Sequence, residues 1–168
     1  MQSNEQLYRD QVQQDDYFDA DLADAHRRIH DQAAQGTPAT ESPSSAAGEL
    51  AERFMQTLQQ TETSGDVNSL VALFADDADL SNLAMTEPLH GRDSIRQFWL
   101  YYLSVFDRIQ SRFIHVSAGN GTSTLEWISE GALSSGELFN YRGVSILETQ
   151  NGQVQHFRTY YDSAAFLP

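Results

Sequence analysis

Apolar positions along the chain change period near residue 107, and that change lays out the architecture. Over ELAERFMQTLQQTET, residues 49–63, Leu50, Phe54 and Leu58 recur four apart, which predicts an amphipathic helix. Gly65 breaks it, and Asp66 is a suitable N-cap for a second, short helix carrying Val67, Leu70, Val71 and Phe74 on one face. ADDADL then leaves the helix, and residues near 78–83 read as a short strand. After Pro88 and Gly91, Ile95, Phe98, Trp99, Tyr102, Val105 and Phe106 fall at i, i+3, i+4, i+7, i+10 and i+11, the strongest helical pattern in the chain.

Beyond Asp107 the period becomes two. IQSRFIHVSA, STLEWISEGAL, GELFNYRGVSILET and QVQHFRTYYD predict four strands. They are joined by turns at Gly119-Asn120-Gly121, Ser134-Ser135-Gly136 and Asn151-Gly152, so neighbours pair antiparallel. Gly143, inside the third of these strands, marks a bend or bulge. Helices gathered on one side of a curved antiparallel sheet make an α+β domain.

The chain has 168 residues, enough for one ordinary domain and a tail. Residues 1–47 read as an acidic, Gln-rich, partly helical extension and linker, and residues 48–168 as the folded domain. Residues 1–48 hold 9 acids against 3 arginines, the other 120 residues 15 against 7, so the extension is the more densely charged part. The extension is either a solvated arm or one that packs on a partner subunit or covers a pocket mouth.

Charge and missing residue types narrow the chemistry. A net charge of -14 repels phosphate backbones and anionic lipid, so neither nucleic acid nor a membrane is an expected partner. There is no cysteine, which removes thiol nucleophiles, disulfides and thiolate metal sites. All 10 basic residues are arginine, which removes Schiff-base chemistry and lysine-dependent phosphate loops. No apolar run is long enough for a membrane helix, and the polar N-terminus carries no signal-peptide pattern. A soluble, cytoplasmic protein is expected.

The phrases LVALFADDADL, LHGRDSIRQFW, LEWISEG, RGVSILETQNGQV and FRTYYD, in this order over residues 48–166, resemble the SnoaL-like branch of the nuclear-transport-factor-2-like superfamily. The resemblance implies a cystatin-like cone: a strongly curved antiparallel sheet wrapped around a deep pocket, with three packing helices. It implies a cofactor-independent enzyme, whether cyclase, isomerase, dehydratase or hydrolase, acting on an apolar oxygenated metabolite. A non-catalytic ligand-binding or dimerisation module of the same fold is the alternative, because fold alone does not choose. Two signatures of the superfamily are missing. Asn82 stands where the isomerases resembled here carry a general-base Asp, and an amide cannot accept the proton. Around Trp127 and Ser129 the Arg and Asp of the epoxide-hydrolase members are absent.

The last strand holds the main catalytic candidates. Alternation puts His156, Arg158, Tyr160 and Asp162 on one face and Phe157, Thr159 and Tyr161 on the other. The resemblance implies that the acid in YYD, Asp162, points into the pocket, where desolvation would raise its pKa and suit it to proton transfer. Arg158, Tyr160 and His156 would then polarise substrate oxygens. The plainer reading is that Arg158 and Asp162 pair on a solvated face. The enzymatic expectation rests on the row pointing inward. Expected pocket walls are Phe54, Leu58, Trp99, Tyr102, Phe113, Trp127 and Tyr141, with Phe74 a further candidate. A homodimer is expected, with Phe157, Thr159 and Tyr161 covered by a second sheet. Glu126 and Glu130 read as a wet strand face. His90, His115 and His156 show no ligand spacing, so neither a metal nor another cofactor is expected.

Overall fold

The computed structural model describes residues 45–162, an α+β domain built from a six-stranded curved open sheet and three helices. Of the extension expected over residues 1–47, residues 1–44 lie outside the described residues, and Ser45, Ala46 and Ala47 belong to the cap and first turn of the first helix. Helix α1 spans Ala46–Ser64, α2 Asn68–Val71 and α3 Gly91–Val105. The strands are β1 (Phe74–Asn82), β2 (Leu89–His90), β3 (Phe106–Gly119), β4 (Thr122–Leu133), β5 (Leu138–Gln150) and β6 (Gln153–Tyr161), in the sheet order β2-β1-β6-β5-β4-β3.

Helix α1 begins where the Ser45 hydroxyl accepts the Gly48 N–H at 3.1 Å, and ends at Gly65, whose left-handed φ of 76° lets its N–H reach the Thr61 carbonyl. The four-residue stripe is buried as expected: Leu50, Phe54 and Leu58 all lie in the core. The second helix is shorter than its pattern suggested. The Asp66 carboxylate accepts the Asn68 N–H at 2.9 Å and starts a single turn, and Phe74 no longer belongs to it. Phe74 begins β1 instead, because its carbonyl is taken by the Arg92 Nε–H at 2.7 Å and the Leu73 carbonyl by the Val154 N–H at 2.8 Å. That last bond opens a parallel pairing of β1 with β6, from Phe74↔Val154 to Asn82↔Thr159.

The remaining strands form the antiparallel meander that the tight turns dictate. Asn120-Gly121 and Asn151-Gly152 both hold positive φ at two consecutive residues, the condition for a turn whose twist matches the strands it joins. Gly143 sits in unbroken register, so no bulge forms there. Its missing side chain serves a close approach: a Cβ would fall 2.6 Å from the Trp127 indole and 2.4 Å from the Tyr160 carbonyl oxygen. Among the described residues no helix is long and apolar enough to cross a membrane.

Two apolar clusters flank the concave side of the sheet. One gathers α1, α2, α3, β1 and the inner residues of β4 to β6 around Phe54, Phe74, Trp99 and Phe157. The other joins Ile109, Trp127, Phe139 and Tyr141. Between them the curvature of the sheet leaves a hollow.

Candidate functional site

The hollow has a volume of about 320 Å³. Helix α1 contributes Phe54 and Leu58 from its buried stripe, and α3 contributes Phe98, Trp99, Tyr101, Tyr102 and Val105. The strands supply their inward positions: Ser111 and Phe113 from β3, Trp127 and Ser129 from β4, Tyr141 and Ser145 from β5, and Phe157, Thr159 and Tyr161 from β6. Asn82 closes the end of β1, its Oδ1 accepting the Ala84 N–H at 2.9 Å. All seven residues expected in the wall line it, whereas Phe74 is packed behind it against Phe54 and Phe157.

The wall contains no Asp, Glu, His, Lys or Arg. This corrects the expected direction of the β6 row. Phe157, Thr159 and Tyr161 face the hollow; His156, Arg158, Tyr160 and Asp162 lie on the outer side. Packing decides the orientation. Phe157 meets Phe54 at 5.4 Å between ring centroids and Trp99 at 5.9 Å, and burying an aromatic ring outweighs keeping an ionisable side chain inside. Outside, Arg158 pairs with Glu148 at 2.6 Å and His156 with Asp79 at 3.2 Å, Asp79 also meeting His90 at 2.5 Å. Tyr160 is 40% exposed, and Asp162 is exposed with its N–H on the Arg142 carbonyl at 3.1 Å. Glu126, Glu130 and His115 are also exposed, with Glu126 opposite His115 across β3 and β4. The same reversal removes the basis for the expected dimer, since Phe157, Thr159 and Tyr161 are not on the outer face. Among the described residues no group of three His, Asp or Glu is placed to hold a metal ion.

Polar groups of the wall fall into two chains. In the first, the Trp127 indole N–H donates to the Ser145 hydroxyl at 3.0 Å, and Ser145 donates to Thr159 at 3.1 Å. The second converges on Glu62, one turn beyond Leu58 on α1 and just behind the wall. Its carboxylate accepts the Tyr102 hydroxyl at 2.9 Å, the Ser111 hydroxyl at 2.5 Å and the Ser111 N–H at 2.7 Å. Gln59 adds a bond to the Ser111 carbonyl at 2.9 Å, so three hydrogen bonds tie the end of α1 to β3.

A carboxylate only accepts, so the Tyr102 and Ser111 protons point at Glu62. Ser129, 2.7 Å from the Ser111 hydroxyl, is then the donor in that contact. The Tyr141 hydroxyl joins the cluster through Tyr102 and Ser129. The Tyr102, Ser111 and Ser129 protons of this network are thus directed toward one carboxylate. Burial is the main cause that pushes the Tyr102 phenol well above its ordinary value, with the charges of Tyr141 and Glu62 adding to it. Burial likewise raises Tyr141, against the opposing pull of its hydrogen bond to Tyr102. Both phenols therefore stay protonated across the physiological range. The Trp99 indole N–H is buried with no hydrogen-bond partner among the described residues.

Sequence reading missed Glu62, Ser111 and Thr159. A signal for Glu62 was present: Leu50, Phe54, Leu58 and Glu62 continue one four-residue spacing, which puts an acid on the buried stripe of α1.

The sequence profile of the SnoaL-like domain matches residues 51–157. Solved structures share the fold at low identity. An NTF2-like protein from Anabaena variabilis is 17% identical with a TM-score of 0.68, over 76% of this chain and 97% of that one. A protein from Jannaschia described as a candidate SnoaL-like polyketide cyclase is 16% identical with a TM-score of 0.68, over 79% and 95%. A protein of ketosteroid-isomerase-like fold from Catenulispora acidiphila, solved in complex with trimethylamine, is 18% identical with a TM-score of 0.62, over 71% and 89%.

Proposed function

This chain belongs to the SnoaL-like domain family, and from that premise we propose that it binds an apolar small molecule carrying an oxygen in the aromatic hollow. The single observation behind this reading is the hollow itself: about 320 Å³, lined by rings and a few hydroxyls, with no ionisable side chain other than phenols in its wall. The ligand body would pack on Phe54, Trp99, Phe113 and Trp127. Its oxygen would meet the Tyr102–Tyr141 patch or Thr159, at the ends of the two polar chains. An oxygen reaching the Trp99 N–H would satisfy a donor whose burial without a partner costs about 1–3 kcal/mol. A neighbour of this fold found with trimethylamine supports small-molecule occupancy.

A second reading is favoured by the connection to Glu62. A substrate proton passed to the Tyr102 oxygen as the Tyr102 proton moves to Glu62 would leave no net charge on the phenol, so its raised pKa is no obstacle. Reactions that move one proton, such as isomerisation or cyclisation, fit this path. Proton transfer by Asp162, with His156, Arg158 and Tyr160 as helpers, does not, because those groups lie on the other side of the sheet.

The two tryptophans of the chain both line the hollow, so intrinsic fluorescence reports directly on occupancy. Titration with 2-decalol, an apolar bicyclic alcohol, is expected to change it saturably. Decalin, which lacks the hydroxyl, is expected to bind about fivefold or more weakly, the loss of one net hydrogen bond. Absence of a saturable change with either compound would overturn the reading.

A further inference from the structure

The hollow is not electrically neutral in character. Eleven of its eighteen lining residues are aromatic, and the face of an aromatic ring carries partial negative charge. The rings are held in fixed, nearly perpendicular pairs: Trp99–Tyr102 at 82°, Trp127–Tyr141 at 80° and Tyr141–Tyr161 at 82°. Directly behind Tyr102 and Ser111 stands Glu62, whose hydrogen-bond donors among the described residues are all neutral. No arginine or histidine of the described residues forms an ion pair with it. The Tyr102 and Ser111 protons run toward that carboxylate and are not offered to a ligand. The ring faces and the Glu62 carboxylate attract positive charge, and no cationic side chain lines the hollow to repel it; the unpartnered Trp99 N–H is the feature that works against it.

We infer that the hollow takes an organic cation, a tertiary or quaternary ammonium group on an apolar body, with the ring faces and the Glu62 carboxylate as its counter-charges. This rests on the reading of the hollow as a small-molecule site and goes beyond it, adding a charged class of ligand to the neutral oxygen-bearing one. An alkylated ammonium suits the place because its charge is spread over carbon-bound hydrogens and it surrenders few strong hydrogen bonds to water on entry. A primary ammonium or a guanidinium would need several acceptors in fixed positions, which an aromatic wall does not supply. A carboxylate-bearing ligand would meet Glu62 as a like charge and is disfavoured on the same grounds. The net charge of -14, with no lysine, adds long-range attraction for a cation.

The test compares benzyltrimethylammonium with neopentylbenzene, its uncharged isostere, by tryptophan fluorescence of the full chain. It is run in 0.5 M NaCl, chosen so that attraction to surface charge is screened over a few ångströms. The ammonium is expected to bind at least about tenfold more tightly than the isostere. Glu62→Gln removes the charge at similar size. It is expected to weaken the ammonium about tenfold and to leave neopentylbenzene within about twofold. A Glu62→Gln chain that keeps the full preference would overturn Glu62 as the counter-charge. Where that variant fails to fold, the ratio measured on the unaltered chain decides. Equal or tighter binding of neopentylbenzene, with 2-decalol still bound, would overturn the cation inference and leave the small-molecule site standing. A tryptophan signal that responds to none of the three compounds would overturn both.

Discussion

The two sides of β6 carry opposite chemistry on one nine-residue strand. Its concave side shows Phe157, Thr159 and Tyr161 to the hollow; its convex side shows His156, Arg158 and Tyr160 to water and to the acids Asp79 and Glu148. The ionisable side looks like the chemical one when the strand is taken alone. In the folded chain it is the stabilised outer surface, and the side with two rings and two hydroxyls is the one that lines the hollow. The abundance of titratable groups on a strand face is therefore no guide to which face lines the hollow. The neighbouring layer decides, here Phe54 and Trp99 pressing on Phe157.

The strongest way to break this contrast is to exchange the chemistry of the faces. Phe157→Asp puts a carboxylate among the rings of α1 and α3 and is expected to remove about 4 kcal/mol or more of stability, read as loss of the cooperative transition in chemical denaturation. A milder intrusion on the concave side is Gly143→Ala. The new methyl meets the Trp127 ring and a backbone oxygen, and an overpacked site of this kind costs about 1–3 kcal/mol. A blue or red shift of tryptophan emission should accompany the loss, since the indole must move.

Alkaline pH sharpens the comparison without mutation. The Tyr102 and Tyr141 phenols are raised in the folded state, while in the unfolded chain they titrate near the ordinary value of about 10. Below that value both states hold the proton and stability is unaffected. Above it the unfolded chain releases protons that the folded one retains. Stability should then fall by up to about 1.4 kcal/mol per pH unit for each phenol. Denaturant midpoints measured between pH 8 and 11 check this, and Tyr141→Phe should lessen the slope. The smallest effect belongs to the convex side. Arg158→Ala breaks a half-exposed ion pair with Glu148 and is expected to cost less than about 1 kcal/mol.

Much of this fold was legible in the sequence because it rests on local rules. The i, i+4 stripe of α1, the helical pattern around Trp99 and the two Asn-Gly turns each specify their own geometry. The aromatic wall followed, since large apolar residues on the inner faces of a curved sheet have one hollow to line. The direction of the β6 row was not legible. Alternation tells which residues share a face and is silent on which face is inside. Both faces of β6 were plausible inner faces, one by chemistry and one by packing. Glu62 was overlooked for a similar reason: an acid on an amphipathic helix reads as solvated, and the donors that hold it, Tyr102 and Ser111, lie 40 and 49 residues away. The start of β1 at Phe74 depends on Arg92 and on a parallel partner from the far end of the domain, neither of which a local window contains.

The most direct test of the concave face as the working one is the affinity of 2-decalol for Tyr141→Phe beside Asp162→Asn, each followed by tryptophan fluorescence. The concave account predicts about a fivefold loss for Tyr141→Phe and a change within about twofold for Asp162→Asn. Unchanged binding by Tyr141→Phe together with a severalfold loss in Asp162→Asn would contradict it.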